Sequence, residues 1–352
     1  MFPAIGYLDF AQRWFGQVRY DLASSGLRAI PAAELGTAPA DDYASRGRFA
    51  SAVARRYGVA TGEVAPCLGG SGALFTAFAT LVGRGGRVLV EAPGYEPMWR
   101  VPEALGIAVD RFERRWDDGY ALDPGRILAA LSSDTRLVAI TNPHNPTAAR
   151  ADDDTLRALA RALAPRGVGL FVDEAYLELV RPEHTARRLG ANVVTCSSTT
   201  KCWGVPWARA GWLLLPEPEA REARRIEQHI CGTAPPGSWA WGEVALGSVE
   251  DLVARRQRRQ IGKRKLVERW VERHAKSLEW HAPHADSLYG WLRDRRRRDL
   301  LPLIEQGIAE RGVIVSPGAF FGDETAFRMS WTSDLETLAM GLEELAKALA
   351  LD

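Results

Sequence analysis

From about Ser51 to Pro216 the chain alternates short, unbroken apolar runs with stretches in which apolar residues recur every three or four positions. The first pattern predicts strands and the second helices, and their alternation predicts strand-helix-strand units around a mainly parallel sheet. Candidate strands are Arg87–Glu91, Leu137–Thr141, Gly169–Asp173, Val193–Cys196 and Gly211–Leu215. Their apolar residues run on rather than alternate, as expected of strands covered on both faces. One helix is marked at both ends: Asp152 or Asp153 can cap it, Leu156, Leu159, Ala160 and Leu163 form its stripe, and Pro165 with Gly167 ends it. The pattern predicts a doubly wound α/β fold. After Pro235-Pro236-Gly237 it changes to a long Arg-rich helical stretch, about Trp239 to Ala275, and then a mixed tail closing on a helix, Asp334–Leu351. A division follows: an N-terminal arm over residues 1–40, a large domain over 41–240, and a smaller α+β domain over 241–352, against which the arm packs.

Composition narrows the class without naming it. The 352 residues suffice for about two domains; 46% are apolar and 25% charged, with 45 basic against 44 acidic residues. That balance excludes a disordered, collagenous or nucleic-acid-coating chain. The basic runs Arg255–Arg259 and Arg293–Arg298 read as solvated faces, and no nucleic-acid partner is expected. Cys67, Cys196, Cys202 and Cys231 are scattered without zinc-ligand spacing, so neither a disulfide framework nor a metal site is expected. The first segment carries Asp9 and Arg13, and no later stretch is long and apolar enough to span a bilayer, which predicts a soluble, cytoplasmic protein.

In an open parallel sheet ligands sit beyond the carboxyl ends of the strands, so the residues following each predicted strand carry the chemistry. They are Ala92-Pro93-Gly94-Tyr95, then Asn142-Pro143-His144-Asn145-Pro146-Thr147, then Asp173-Glu174-Ala175-Tyr176, then Ser197-Ser198-Thr199-Thr200-Lys201. Singly, these are turn residues, a helix cap or a surface lysine. Together they bring an aromatic, an amide, a carboxylate with a phenol, and an amine to one rim. Lysine forms Schiff bases with aldehydes, and a carboxylate facing a pyridine nitrogen keeps that nitrogen protonated, so the set suits an electrophilic pyridine cofactor held as an imine. Such a cofactor needs an anion site. Gly69-Gly70-Ser71-Gly72-Ala73 opens a predicted helix whose free backbone N–H groups can approach a phosphate, with Ser198 and Arg209 flanking Lys201 to assist.

GGSGA, APGYEP, TNPHNPTA, VDEAY, SSTTK with an arginine eight places beyond the lysine and then AGW, and finally PGAFFG and FRMSW, stand in this order along the chain. From about Asp41 to Trp331 the sequence resembles the class I/II aminotransferases, pyridoxal-phosphate enzymes of the type I fold. The resemblance implies that Lys201 holds pyridoxal 5′-phosphate, that Asp173 partners its ring nitrogen, and that Asn145 and Tyr176 donate to its ring oxygen. Ser71, Gly72, Ala73, Ser198 and Arg209 would hold its phosphate, Tyr95 would stack on the ring, and Arg328 with Asn145 would bind the substrate carboxylate. Tyr43 would cross to the partner in a homodimer. The implied reaction is transfer of an amino group between an amino acid and a 2-oxo acid. Other pyridoxal-phosphate reactions of the same fold, decarboxylation, elimination or cyclisation, are the alternative. Ala148 replaces the glycine usual after NPxNPT, tolerable unless that position needs positive φ. Tyr20–Leu27 only loosely resembles the substrate-contacting arm of relatives. Trp99, Trp203 and Trp207 are expected in the core more than in a pocket, His144 in a turn, and Cys202 as a small buried hydrophobe.

Overall fold

A computed structural model describes residues 2–37, 40, 42–232 and 235–352; Asp41, at the expected division after the arm, lies outside them. The strands, in chain order, are β1 (Tyr20–Asp21), β2 (Val64–Leu68), β3 (Arg87–Ala92), β4 (Ala108–Glu113), β5 (Thr135–Thr141), β6 (Gly169–Asp173), β7 (Val193–Ser198), β8 (Ala210–Leu214), β9 (Leu278–Trp280), β10 (Tyr289–Asp294), β11 (Val313–Ile314), β12 (Ser316–Pro317) and β13 (Ala326–Ser330). Seven of them form one sheet in the order β2-β8-β7-β6-β5-β3-β4. β8 runs antiparallel to both its neighbours and the other pairings are parallel.

The unbroken apolar runs have the predicted cause. Along β3, Val88 and Val90 enter one core with Leu74 and Phe78, while Leu89 enters the other with Leu156 and Leu159. Leu137 and Ala139 of β5 face the first core, Val138 and Ile140 the second. With helices on both faces, the central positions Val88–Glu91 and Leu137–Thr141 are all buried, and period-two alternation has nothing to distinguish there. Asp152 caps the helix Asp153–Leu163 by accepting from the Thr155 N–H at 2.8 Å. β2 and β4 carry no comparable apolar run: β2 contains Pro66 and Cys67, and β4 (AVDRFE) is an edge strand with exposed positions, so hydrophobicity alone predicts neither.

The expected helical stretch from Trp239 to Ala275 consists of three helices, Pro236–Gly247, Val249–Gln260 and Lys263–Arg273, separated at Ser248 and at Gly262 with φ +79°. The expected division after residue 240 falls inside the first of them. A second, antiparallel sheet has the order β12-β13-β10-β9. Its core joins Leu292, Phe327 and Met329 to Ile304 and Ile308 of the helix Leu301–Arg311, and to Leu338 and Leu342 of the helix Leu335–Ala348. The arm is part of this core through Phe10, Tyr20 and Leu22, and β1 pairs in parallel with β11. It also reaches the larger sheet, where Glu96 accepts the N–H groups of Gly6 at 3.1 Å and Tyr7 at 2.6 Å.

Candidate active site

The carboxyl ends of β3, β5, β6 and β7 open on one cavity of roughly 190 Å³. It is lined by Ser71, Tyr95, Asn145, Asp173, Tyr176, Ser198, Lys201, Arg209 and Arg328, nine of the twelve residues singled out from sequence. Gly72 and Ala73 stand behind it in the first turn of the helix Gly69–Leu81. Tyr43 is 84% exposed and lies apart from the cavity.

At one end the backbone builds an anion cradle. The helix Gly69–Leu81 starts on Leu68 without a side-chain cap, which leaves the N–H groups of its first turn facing outward. Gly69 adopts φ +67°, and a Cβ there would run into the Arg209 guanidinium, 2.9 Å from its Cζ. Gly211 lets β8 pass close beneath: a side chain on it would begin 2.6 Å from the carbonyl carbon of Gly69. Arg209 itself has φ +53°, which turns it back toward this helix. Ser198 closes the far side. Thr200 also lines the cavity, and its Oγ1 is buried with no hydrogen-bond partner among the described residues.

At the other end of the rim, Asp173 closes β6. Its Oδ1 accepts the Ala175 N–H at 2.9 Å, and the register that sets Cys196 opposite supplies a thiol hydrogen bond. Burial pushes its pKa up to about 6, because these bonds and the charge of Lys201 only partly offset the lost hydration. A carboxylate in that state gains from a cation placed against it. Glu174, next along, accepts from the Ala186 N–H at 2.6 Å and is driven by burial to about 8. Lys201 lines the same cavity, close enough for its charge to act on Asp173.

The third group surrounds Arg328, which is 1% exposed on β13. Its Nη1 donates to Asn145 Oδ1 at 2.7 Å, and its Nη2 to Tyr7 Oη at 2.8 Å, Ser316 Oγ at 3.2 Å and the Ala23 carbonyl at 3.3 Å. No acid among the described residues touches it, and Nε has no partner among them. The rings of Phe321, Tyr7 and Tyr289 lie 5.1 to 5.4 Å from its Cζ. Burial opposes its charge, yet Tyr7, Tyr176 and Tyr289 hold its proton more firmly than usual. Tyr7 shows the reciprocal effect: burial alone would raise its phenol, but Arg328 and Lys201 bring it below the ordinary tyrosine value. A buried guanidinium with only neutral partners is a receptor for a carboxylate.

Asn145 is held by its neighbours. Its N–H donates to Thr141 Oγ1 at 2.8 Å, Thr141 Oγ1 donates to Glu91 at 2.6 Å, and Glu91 pairs with Arg114 at 3.0 Å. His144 is sealed in the turn, with Nδ1 against Thr147 at 2.6 Å and Nε2 against the Pro93 carbonyl at 2.9 Å. Ala148 does occupy a position that needs positive φ, +61°, at a cost of about 1 kcal/mol relative to glycine. Trp99 and Trp203 are buried, while Trp207 is 36% exposed and donates to the Ile30 carbonyl; none lines the cavity. Cys202 is buried, its thiol donating to the Ala175 carbonyl.

Three cavity or near-cavity residues carry no sequence signal strong enough to find them: Tyr7, Ser25 and Thr200. Tyr7 lies in a short amphipathic helix, Gly6–Trp14, whose pattern reads as packing. Ser25 Oγ lies 2.6 Å from Tyr176 Oη, inside the segment whose likeness to other arms is loose. Thr200 stands inside the SSTTK motif, where Ser198 and Lys201 carry the evident chemistry.

Residues 39–345 match the sequence profile described as "Aminotransferase class I and II". The chain belongs to that family. Its cofactor is accordingly pyridoxal 5′-phosphate, and the cavity fits it: an uncapped helix start with a free buried hydroxyl at one end, an underpaired buried carboxylate at the other, an amine between. Among curated relatives the chain is similar to capreomycidine synthase of Streptomyces vinaceus, 28% identical over 99% of this chain and 94% of that one. Among solved structures it shares its fold with a pyridoxal-phosphate-dependent aminotransferase from Streptococcus suis, with a TM-score of 0.90 at 20% identity over 100% of this chain and 99% of that one. It shares it also with the pyridoxal-phosphate-dependent cyclase OrfR, with a TM-score of 0.86 at 23% identity over 99% and 97%.

Proposed function

We propose that this family member transfers the amino group of an α-amino acid to a 2-oxo acid. The observation that carries the reading is the placing of one amine, Lys201, in a single cavity with a buried, underpaired Asp173 and a buried guanidinium, Arg328, that no acid among the described residues neutralises.

Bound pyridoxal phosphate supplies an electron sink for the pair left on the substrate Cα when its proton departs. The chain's residues do the rest. The first turn of the helix Gly69–Leu81, Ser198, Thr200 and Arg209 bind the phosphate. Asp173 keeps a proton on the ring nitrogen, Asn145 Nδ2 and Tyr176 Oη donate to the ring oxygen, and Tyr95 covers a ring face. Arg328 would take the substrate carboxylate, which would fix Cα near Lys201. Lys201 Nζ would take the Cα proton and hold it for return, acting as base and then as acid. Tyr43, exposed in the single chain, is the residue we assign to a neighbouring subunit's site in a homodimer.

A second reading is favoured by the near full-length likeness to capreomycidine synthase and by the cyclase OrfR: cyclisation of an amino acid. Tyr7 would then be the second proton donor beside Lys201, since its phenol faces the cavity and is held below its ordinary pKa by two cations. One experiment separates the two. With an amino donor and no oxo acid, a transaminase releases one 2-oxo acid per active site and stops until an oxo acid is added; an eliminating or cyclising enzyme turns over without an acceptor.

A further inference from the structure

The arm segment Leu22–Leu27 crosses the cavity's edge with an unusual density of hydrogen bonds. Asp21 accepts the N–H groups of Ala23 and Ser24, both at 2.9 Å, and the Ser24 hydroxyl. The Ser24 carbonyl accepts from Ser330 Oγ and Thr332 Oγ1, both at 2.8 Å, and the Leu22 N–H donates to the Ile314 carbonyl at 2.9 Å. The Leu27 N–H donates to the backbone carbonyl of Lys201 at 2.9 Å. Gly26 lies against the lysine side chain, where a Cβ would stand 3.2 Å from Lys201 Cδ. These bonds hold one side chain in place: Ser25, 2% exposed, with its Oγ 2.6 Å from Tyr176 Oη.

A phenol and an alcohol at that distance share one hydrogen, and either can be the donor. The choice matters. If Tyr176 donates to Ser25, it has no proton left for a ligand in the cavity. If Ser25 donates, the phenol's own hydrogen is released toward the cavity, and the accepted bond polarises it into a stronger donor.

We propose that Ser25 is a positioning residue that donates to Tyr176 and so directs the Tyr176 hydroxyl hydrogen onto the cofactor's ring oxygen. The inference rests on the reading that Tyr176 faces that oxygen. It assigns the arm an electronic role beside its packing role. Less donation to the ring oxygen leaves more negative charge there to hold a neighbouring proton, so weakening the relay raises the pH midpoint of the bound cofactor's visible absorbance.

The test is a pH titration of that absorbance in four holoenzymes: wild type, Ser25→Ala, Tyr176→Phe and the double variant. Tyr176→Phe alone tests the underlying reading, and an unmoved midpoint there removes that reading together with this one. Given a Tyr176→Phe shift, Ser25→Ala is expected to move the midpoint upward by a smaller amount, about half a pH unit, the size of one modest hydrogen bond. In the Tyr176→Phe background the same serine change is expected to do nothing. A Ser25→Ala midpoint equal to wild type, or a shift that persists without the phenol, overturns the proposal while leaving the role of Tyr176 intact. A packing role for Ser25 would move the melting temperature of both backgrounds equally and leave the cycle without coupling.

Discussion

The two ends of the cavity are built in opposite ways. The end around Gly69 is backbone: an uncapped helix start, Gly69 at positive φ, and β8 brought close beneath by Gly211. The end around Arg328 is side chains from distant parts of the chain, with Tyr7 and Arg328 separated by 321 positions and Asn145 and Arg328 by 183. A cradle of backbone is rigid and indifferent to most substitutions except those that fill it. A receptor of side chains can be retuned one residue at a time, which suits the end that must tell substrates apart.

Removing the amine shared by both ends has the largest expected effect. Lys201→Ala should lower turnover at least about a thousandfold, the scale of acid–base catalysis alone, and abolish the visible absorbance of the bound cofactor; an unchanged spectrum would refute the assignment. Arg328→Ala should raise KM for the amino donor about a hundredfold and leave the absorbance intact, since it removes a buried charged partner at one end only. Loss of the spectrum there would mean that the ends are not separable.

Gly69→Ala probes the other end, with Gly83→Ala as its control. The two glycines have φ of +67° and +69°, but a Cβ at Gly83 meets nothing within 4 Å while one at Gly69 meets Arg209. Each should cost about 1 kcal/mol of stability from strain, and only Gly69→Ala should also weaken cofactor binding, by about tenfold. Equal cofactor affinities would place the phosphate elsewhere.

The smallest effect concerns Asp173 in the cofactor-free protein. An unfolded aspartate titrates near 4, the folded one near 6, so the folded state binds the proton more tightly. That contribution is complete below about pH 4 and is lost as pH rises to about 6. Wild type should therefore lose about 2 °C of melting temperature relative to Asp173→Asn between about pH 4.5 and 6.5, and the loss should vanish when cofactor supplies a positive partner. A constant gap in the cofactor-free proteins would mean that Asp173 is not strained by burial.

The same contrast explains what is legible in the sequence. Tyr95, Asn145, Asp173, Tyr176 and Lys201 can be found because each ends or follows a buried strand of one sheet, and the fold's geometry collects such residues without reference to the rest of the chain. The Gly-rich turn is readable because its first position takes positive φ with a guanidinium against it, which glycine alone accommodates without strain. Tyr7 and Ser25 cannot be found: their partners are set by how the arm lies across two sheets, and a Tyr in an amphipathic helix or a Ser in an irregular segment carries no periodic mark of that path. β2 and β4 escape for a local reason, a proline and cysteine in one and an exposed edge in the other. The Arg-rich helical stretch divides into three helices partly because Gly262 takes a left-handed conformation that apolar spacing does not register.

The parallel pairing of β1 with β11 has a bearing on synthesis. Tyr20 and Asp21 leave the ribosome almost three hundred residues before Val313 and Ile314, their only strand partners among the described residues. Until then the arm has no sheet to join, and Arg328, Ser316 and Ser330, which fasten its carbonyls and Tyr7, have not been made. A nascent chain can thus complete its central sheet early while the substrate-facing wall is assembled last, and a stalled or C-terminally clipped product would keep the cradle yet lack a working entrance.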